Sequence, residues 1–439
     1  MREHTEQTGK RITLVETKAL EKEPRVPGSC FGVATVVFLG GIGGGLVFPI
    51  LPILGLKFGL SAVLIGFILA ANRISRLLVN PLSGALVDRI GGKIPLTTGL
   101  LVESGATICY SAGLFFGNPA AWFLIGRIIW GIGSSLLIVS SMAIALNLSN
   151  QGNRGRMTAS VRMAFSLGLP AGLLVGGVIA GVWSDNAAFL TAAVLTFLAA
   201  GISIVSVPHV HPARAGSSPG RLRRDRRRAW KIDRELIDLV LDLRVVTVWI
   251  YNFLIFLTMQ GLLLTTLVLF VKYRKLDFLG LGVQPLSGVL MAVMMIWSGG
   301  FTVLIGRMLD RIDFRTGMVA PAVICLILGF GLLAVGHSLP DVLSGLIFMG
   351  AGMGGTNVPL LTLLGDMVRP DLRGRAMAIY QIFGDCGGSL GPIVGVAAST
   401  RFGFAWTYSA TAMLLFLSLP LALYIYRTER CVTAVKTGT

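Results

Sequence analysis

Six charged side chains lie inside long apolar segments of the sequence, where a charge is costly and tends to be functional. Two of them are acidic, Glu103 and Asp385. The four basic ones are Arg73, Arg76, Arg127 and Arg162. A carboxylate shielded from water favours its protonated form, whereas a nearby cation favours the ionised form. This competition is the chemistry that a proton carrier needs, so the six residues are candidates for proton coupling and substrate contact.

Asp385 is the first candidate for protonation, because its own half of the sequence has no obvious cation within an apolar segment. Glu103 shares its half with all four arginines, so we expect one of them to pair with it. For each carboxylate, a purely structural ion pair or hydrogen bond is the alternative interpretation. Arg73 and Arg76 could instead line a cavity for an anion.

The composition is that of a membrane protein. Of the 439 residues, 54% are hydrophobic and 13% are charged, whereas soluble domains carry about 25% charged residues. With a mean hydropathy of +0.77, a soluble chain would expose much apolar surface and aggregate. Soluble enzymes, nucleic-acid-binding proteins, fibrous proteins and disordered chains are therefore excluded.

A spanning helix needs about 20 predominantly apolar residues, and twelve segments satisfy this criterion. They are 29–54, 59–86, 94–116, 120–147, 155–183, 186–207, 245–270, 285–309, 316–336, 340–367, 374–400 and 404–426. Twelve spans place both termini on one side of the membrane. With the termini inside, 29 Lys and Arg residues fall in inner segments and 5 in outer segments. Because basic residues collect on the cytoplasmic side, both termini are predicted to be cytoplasmic.

The longest hydrophilic interval, 208–244, separates six spans from six more. Its Arg-rich run at 221–228 is predicted to bind anionic lipids of the inner leaflet. The predicted organisation has five parts: a cytoplasmic tail at 1–28, an N-terminal six-helix bundle at 29–207, the basic cytoplasmic linker at 208–244, a C-terminal six-helix bundle at 245–427 and a cytoplasmic tail at 428–439.

A motif that occurs in both halves supports this division. The loop after the second span has the pattern G-x-x-x-D-R-x-G-x-K, from Gly84 to Lys93. The loop after the eighth span has G-x-x-x-D-R, from Gly306 to Arg311. An Arg-Gly-Arg tripeptide follows each copy at nearly the same spacing, at 154–156 and 373–375. The sequence therefore predicts an all-α membrane protein whose twelve transmembrane helices form two six-helix bundles related by an internal repeat.

This arrangement resembles the major facilitator superfamily of secondary transporters over nearly the whole chain. The resemblance implies a conformational switch formed by Gly84, Asp88, Arg89, Gly91, Lys93, Gly306, Asp310 and Arg311. Gly84 is expected to let span 2 approach its neighbour closely. Asp88 is expected to face the positive N-terminal end of span 11, and Asp310 that of span 5. Such contacts on the cytoplasmic side would favour the outward-open state.

Span 4 contains Arg127-x-x-x-Gly131-x-Gly133, which resembles an element of proton-coupled members of the superfamily. Spans 5 and 11 are glycine-rich, as in its antiporters, although span 5 lacks an adjacent Gly-Pro pair. The predicted function is secondary active transport of a small solute by alternating access, in the leading version proton-coupled efflux. One alternative is uptake, by symport, of a small anion or a metal complex. Another is a membrane scaffold or sensor that does not transport.

The predicted partners are a small-molecule substrate, a proton as coupling ion and anionic lipids, with no nucleic acid and a monomeric state. The sequence contains no phosphate-binding loop, and its five cysteines are too widely spaced for a disulfide framework or a zinc site. We therefore expect no enzymatic activity, no cofactor and no metal. The expected location is the bacterial cytoplasmic (inner) membrane.

Overall fold

The computed structural model describes residues 28–149, 154–209, 241–309, 315–369 and 372–437. These residues form twelve helices. They are α1 (Gly28–Leu46 and Leu51–Lys57), α2 (Ala62–Ile90), α3 (Lys93–Phe115), α4 (Pro119–Asn147), α5 (Arg154–Val182), α6 (Asp185–Ser206), α7 (Leu243–Ile255, Phe256–Leu263 and Leu264–Arg274), α8 (Val283–Leu309), α9 (Val319–Val335), α10 (Leu339–Met367), α11 (Arg373–Phe402) and α12 (Phe404–Thr437).

Polar side chains and glycine define several helix ends. The hydroxyls of Ser61 and Ser184 accept hydrogen bonds from backbone N–H groups in the first turns of α2 and α6, which satisfies donors that have no helical partner. Ser338 and Asp341 form a capping box at the start of α10. Gly91 ends α2 with φ of +82°, a conformation that residues with a Cβ rarely adopt. The short loops of the sequence therefore set where one helix stops and the next begins.

The two bundles repeat the same packing. In the first six helices, α1 packs on α5, α2 on α4, and α3 on both α4 and α6. In the last six, α7 packs on α11, α8 on α10, and α9 on both α10 and α12. The bundles meet where α2 packs on α11 and α5 packs on α8. The predicted all-α fold with two six-helix bundles is confirmed.

Nine helices in the described part of the chain are both long and apolar enough to cross a membrane. Val319–Val335 is apolar but shorter, and α3 and α11 carry more small and polar residues. Large apolar side chains point outward along the helices, including Leu78, Leu82 and Val205, which are 70%, 68% and 89% exposed. Such a surface suits lipid and not water, so the chain is an integral multi-pass membrane protein.

Two of the predicted domain segments fall largely outside the described residues. They are the tail at 1–28 and the basic linker at 208–244. The Arg-rich run at 221–228, and with it the predicted lipid contact, lies entirely outside them. The division of the sequence at these boundaries therefore stays a prediction.

Candidate functional site

An ion pair joins the two bundles near the middle of helices α2 and α11. The Arg76 guanidinium on α2 donates a short hydrogen bond to the Asp385 carboxylate on α11. The Asp385 side chain is fully buried, and the Arg76 side chain is 18% exposed. The amide of Gln381, one turn earlier on α11, lies 3.5 Å from the other Asp385 oxygen. A buried carboxylate needs such a partner, and here the partner comes from the other bundle.

A second arginine lies beside this pair. Arg73, one turn before Arg76, is 8% exposed, and its Nη2 donates to the Gln260 side-chain oxygen at 2.9 Å. The guanidinium also lies 5.8 Å from the centre of the Phe256 ring, a favourable cation–π distance. The guanidinium occupies space that is available because Gly388 has no side chain. A Cβ at position 388 would lie 2.5 Å from the Arg73 Nη1 atom. Arg73, Arg76, Gln260, Gln381 and Asp385 are called the central cluster below.

A π-helical segment of α7 supplies two residues that contact Arg73. It runs from Phe256 to Leu263 and contains both Phe256 and Gln260. π-Bulges inside α-helices are frequent at functional sites. Within this segment, Gly261 packs on the backbone of Gly391, which brings α7 close to α11. Neither Gln260 nor the wider turn was predicted, because a π-bulge leaves hydropathy and residue spacing almost unchanged.

Arg127 lies in the N-terminal bundle and is 1% exposed. Its guanidinium lies 5.2 Å from the ring centre of Phe48 and 5.9 Å from that of Tyr110. Two of its nitrogen atoms, Nε and Nη2, have no hydrogen-bond partner in the part of the chain that the structure describes. One turn later, Gly131 packs on the Asn72 carbonyl of α2, so α4 lies directly against the helix that carries Arg73. Arg127 is therefore a neighbour of the central cluster.

Glu103 is 1% exposed, and its Oε2 atom has no hydrogen-bond partner among the described residues. The expectation that an arginine pairs with Glu103 is wrong for this structure. Arg73 and Arg76 are directed from α2 toward α7 and α11. Arg127 contacts Tyr110, which lies seven residues, or about 10 Å, further along α3. Glu103 packs instead between glycines 40 and 133 of α1 and α4.

Arg162 is exposed on α5 and lies outside the central cluster. The structure thus brings together Arg73, Arg76 and Asp385 from the six candidates, with Arg127 nearby. It places Glu103 within the N-terminal bundle and Arg162 on an exposed face.

The bundles are closed at one end and open at the other. Gly66 on α2 contacts Ile393 on α11, whereas Gly84 has nothing within 4 Å of the position of a Cβ. These two glycines are 18 residues, or about five full turns, apart and so lie on the same face of α2. The same holds on α8, where Gly288 contacts Leu173 of α5 and Gly306, 18 residues later, faces open space. The helices therefore diverge toward the end that carries the α2–α3 loop, called the motif end.

The opposite end, which carries the α1–α2, α5–α6 and α7–α8 loops, is closed by a polar contact between the bundles. Asp185, the first residue of α6, accepts a hydrogen bond from the Gln284 amide on α8 at 2.6 Å. It also pairs with Lys57 on α1 at 3.3 Å. Close packing of Gly177 and Gly181 on Gln284 and Pro285 surrounds this contact.

The predicted switch residues lie at the motif end. Asp88 and Arg89 are exposed at the end of α2, Gly91 ends that helix, and Lys93 donates from Nζ to the Ile204 carbonyl at 2.7 Å. The expected close approach at Gly84 is absent, because this end of the molecule is open. Asp310 and Arg311 lie outside the described residues, so the switch role of both motif copies stays a prediction.

Known proteins match the chain in sequence and in fold. The sequence model of the Major Facilitator Superfamily matches residues 33–303 and 288–437. Multidrug resistance protein 1 of Bacillus subtilis is 30% identical over 173 residues, which are 39% of this chain and 43% of that protein. Quinolone resistance protein NorA of Staphylococcus aureus is 30% identical over 175 residues, again 39% and 43%. The matched segments thus cover less than half of either relative.

Solved transporter structures share the fold at low identity. A bacterial homolog of the human lysosomal transporter Spinster, in an inward-facing and unoccupied conformation, has a TM-score of 0.73 at 14% identity, covering 91% of this chain and 97% of that one. The nucleoside transporter NupG has a TM-score of 0.70 at 15% identity, covering 91% and 99%. With two repeated six-helix bundles and a family match across nearly its whole length, this chain belongs to the Major Facilitator Superfamily.

Proposed function

We propose that this protein exports a small organic molecule and that an inward flow of protons through Asp385 drives the export. The observation that carries the proposal is the ion pair between Arg76 and a fully buried Asp385. The pair spans the interface between the two bundles. Arg76 is the 15th of the 29 residues of α2, so it lies near the middle of the helix.

Protonation of Asp385 is linked to movement of the bundles in this proposal. The ionised carboxylate holds Arg76 and so ties α11 to α2. A protonated carboxyl group loses the charge that attracts Arg76, and the interface between the bundles weakens. A proton can shift a conformational equilibrium only through such a difference in affinity between the two states. Asp385 provides this difference because its partner belongs to the other bundle.

The direction of transport is proposed from the relatives. The matched proteins are named for multidrug and quinolone resistance, which favours export of drug-like compounds. The solved structures are too distant in sequence to indicate a substrate. Uptake of a small anion is the second candidate, and the excess of arginine over acid in the central cluster favours it. A scaffold or sensor that does not transport is less well supported, since it would not require the buried central cluster.

The proposed setting is a bacterial cytoplasmic membrane with both chain termini inside. The motif end is then the cytoplasmic end, and the structure is open toward the cytoplasm. The Arg-rich run at 221–228 binds anionic lipids of the inner leaflet in this proposal, and the protein acts as a monomer.

Flux in proteoliposomes tests the proposal, with norfloxacin, a fluorescent quinolone, as the probe. We expect an imposed pH gradient to drive norfloxacin across the membrane and norfloxacin to dissipate the gradient in return. Asp385→Asn should abolish both effects while norfloxacin still binds. Asp277→Asn, in the exposed α7–α8 loop, is the matched control and should behave like wild type. Gradient-driven flux through Asp385→Asn at the wild-type rate would contradict the proposal.

A further inference from the structure

The central cluster carries more positive than negative charge. Arg73 lies one turn from Arg76, which pairs with Asp385, and Arg127 lies on α4, which packs on the same helix α2. With Arg73 itself, three guanidinium groups share one carboxylate. Glu103 does not compensate them, because it forms no ion pair in the described part of the chain and lies deeper in the N-terminal bundle. Buried positive charge of this kind is costly unless an anion accompanies it.

Arg73 has donors that the protein leaves available. A guanidinium has five N–H donors in a planar fork, and Arg73 uses one in its hydrogen bond to Gln260. Its remaining contact is with the face of the Phe256 ring. A neutral amide is a weaker partner than a carboxylate, since hydrogen bonds between two charged groups are shorter and stronger. Arg73 therefore lacks the counter-ion that Arg76 has.

We propose that an acidic group of the transported molecule, a carboxylate in the simplest case, binds to Arg73 and Arg76. This inference rests on the proposed function as a transporter and names the chemical class of its substrate. The acidic group accepts hydrogen bonds from the N–H donors of Arg73 that do not bind Gln260, and it competes with Asp385 for Arg76. Gln260 and Phe256 hold the Arg73 guanidinium in place before the acid arrives. Such bidentate recognition of carboxylates is characteristic of arginine.

Competition for Arg76 has a consequence for proton coupling. A molecule whose only charge is acidic binds best when Asp385 is protonated, because protonation frees Arg76. Protons and such a molecule would therefore move in the same direction. A molecule that also carries an amine can place it against Asp385, where the amine replaces the proton. Protons and this molecule would move in opposite directions. Export driven by inward proton flow therefore specifies a substrate with both an acidic group and an amine.

Asp385 is the acidic residue of the central cluster, and the groups that surround it are arginines, amides and a thiol. The charged groups that face it are Arg73 and Arg76 of α2. The neighbouring side chains of α7 and α11 are polar or a thiol: Asn252, Gln260, Gln381 and Cys386. Helices α10 and α12 also pack on α11. The acidic residues of α10, Asp341 and Asp366, lie near its two ends.

Three compounds with one skeleton test the inference. Norfloxacin carries a carboxylate and an amine, its methyl ester keeps only the amine, and N-acetylnorfloxacin keeps only the acid. Their binding to the purified full-length protein is measured by fluorescence titration without any pH gradient. We expect both acids to bind about 10- to 100-fold more tightly than the ester, the loss expected for removing a charge-assisted hydrogen bond. Acidification should strengthen binding of the N-acetyl compound more than that of norfloxacin.

Variants connect the acid preference to Arg73. Arg73→Gln should abolish the preference of norfloxacin over its methyl ester, and Arg73→Lys should retain part of this preference. Gly388→Ala should reduce the preference without changing any charge, because the added methyl group displaces the Arg73 guanidinium. Arg401→Gln is the control, because Arg401 is exposed at the C-terminal end of α11. This variant should leave the preference for acids unchanged. Equal binding of acid and ester by wild type, or binding of neither, overturns the inference, as does an acid preference that survives in Arg73→Gln.

The binding and flux measurements separate the two proposals. One outcome is a preference for acids that depends on Arg73, with a flux that does not change when a pH gradient is imposed. This outcome would refute proton-driven export and leave the acid site intact. Gradient-driven flux of the ester at the rate of norfloxacin would refute the acid site and leave proton-driven export intact.

Discussion

Neutralising either member of the Arg76–Asp385 pair should destabilise the protein, and the two single variants should differ. Arg76→Gln leaves a fully buried carboxylate without its cation, for which about 3–5 kcal/mol of stability is the typical loss. Asp385→Asn leaves Arg76 unpaired, but its side chain is 18% exposed and can be hydrated. We therefore expect a smaller loss for Asp385→Asn, about 1–3 kcal/mol, the range for a polar group left without its partner.

The double variant gives the interaction energy of the pair. With both charges removed, neither group is left uncompensated, so the double variant should lose less stability than the sum of the single variants. We expect a coupling free energy of at least about 1.5 kcal/mol, the lower range for close charge pairs. The assay is equilibrium unfolding in mixed detergent micelles, with all four proteins at one pH. Additive losses, or a larger loss for Asp385→Asn than for Arg76→Gln, would refute the reasoning.

Three further predictions concern the ends and the packing of the bundles. Gln284→Ala removes the hydrogen bond to Asp185, worth about 1.5–3 kcal/mol for a charged acceptor, and should make a cysteine in place of the buried Ser287 more reactive from the opposite end; unchanged reactivity would show that this contact does not close it. Gly172→Val places a side chain on the Ile42 carbonyl and should greatly reduce the yield of folded protein, whereas Gly201→Val faces open space and should not; equal yields would contradict the close packing of α1 on α5. Asp88→Asn removes the charge expected to face the N-terminal end of α11, which is worth about 0.3–1 kcal/mol. It should impair transport and shift the population toward the conformation that is open at the motif end. Cysteine accessibility from both sides of the membrane measures this shift. Wild-type transport with unchanged accessibility would argue against a switch role for Asp88.

Hydropathy alone was sufficient to predict the fold. Each of the twelve helices overlaps a predicted span, because crossing a bilayer requires about 20 consecutive apolar residues and leaves little freedom in where they begin. The internal repeat was visible because short motifs recur at loops that the two bundles share. Length, apolarity and loop motifs are local properties of a sequence, and they determine the architecture of this protein class.

The pairing within the central cluster could not be predicted in the same way. Arg76 and Asp385 are 309 residues apart and belong to different bundles, so neither spacing nor helical periodicity relates them. All four intramembrane arginines lie in the same half of the sequence as Glu103, which is why the sequence predicts a cation beside it. The arginines of α2 lie on the face that is directed toward α7 and α11, so they contact Gln260 and Asp385 and not Glu103.

The distance between the two bundles at the motif end tests most directly whether protonation of Asp385 drives conformational change. Spin labels at Gly84→Cys of α2 and Gly306→Cys of α8, with the native cysteines replaced, occupy positions with open space around them. Pulsed electron paramagnetic resonance then gives their separation at neutral and acidic pH. We predict that acidification shortens the distance in wild type and that Asp385→Asn shows the short distance at both pH values. The account would be contradicted by a wild-type distance that is the same at both pH values. It would also be contradicted by an Asp385→Asn protein whose distance changes with pH as in wild type.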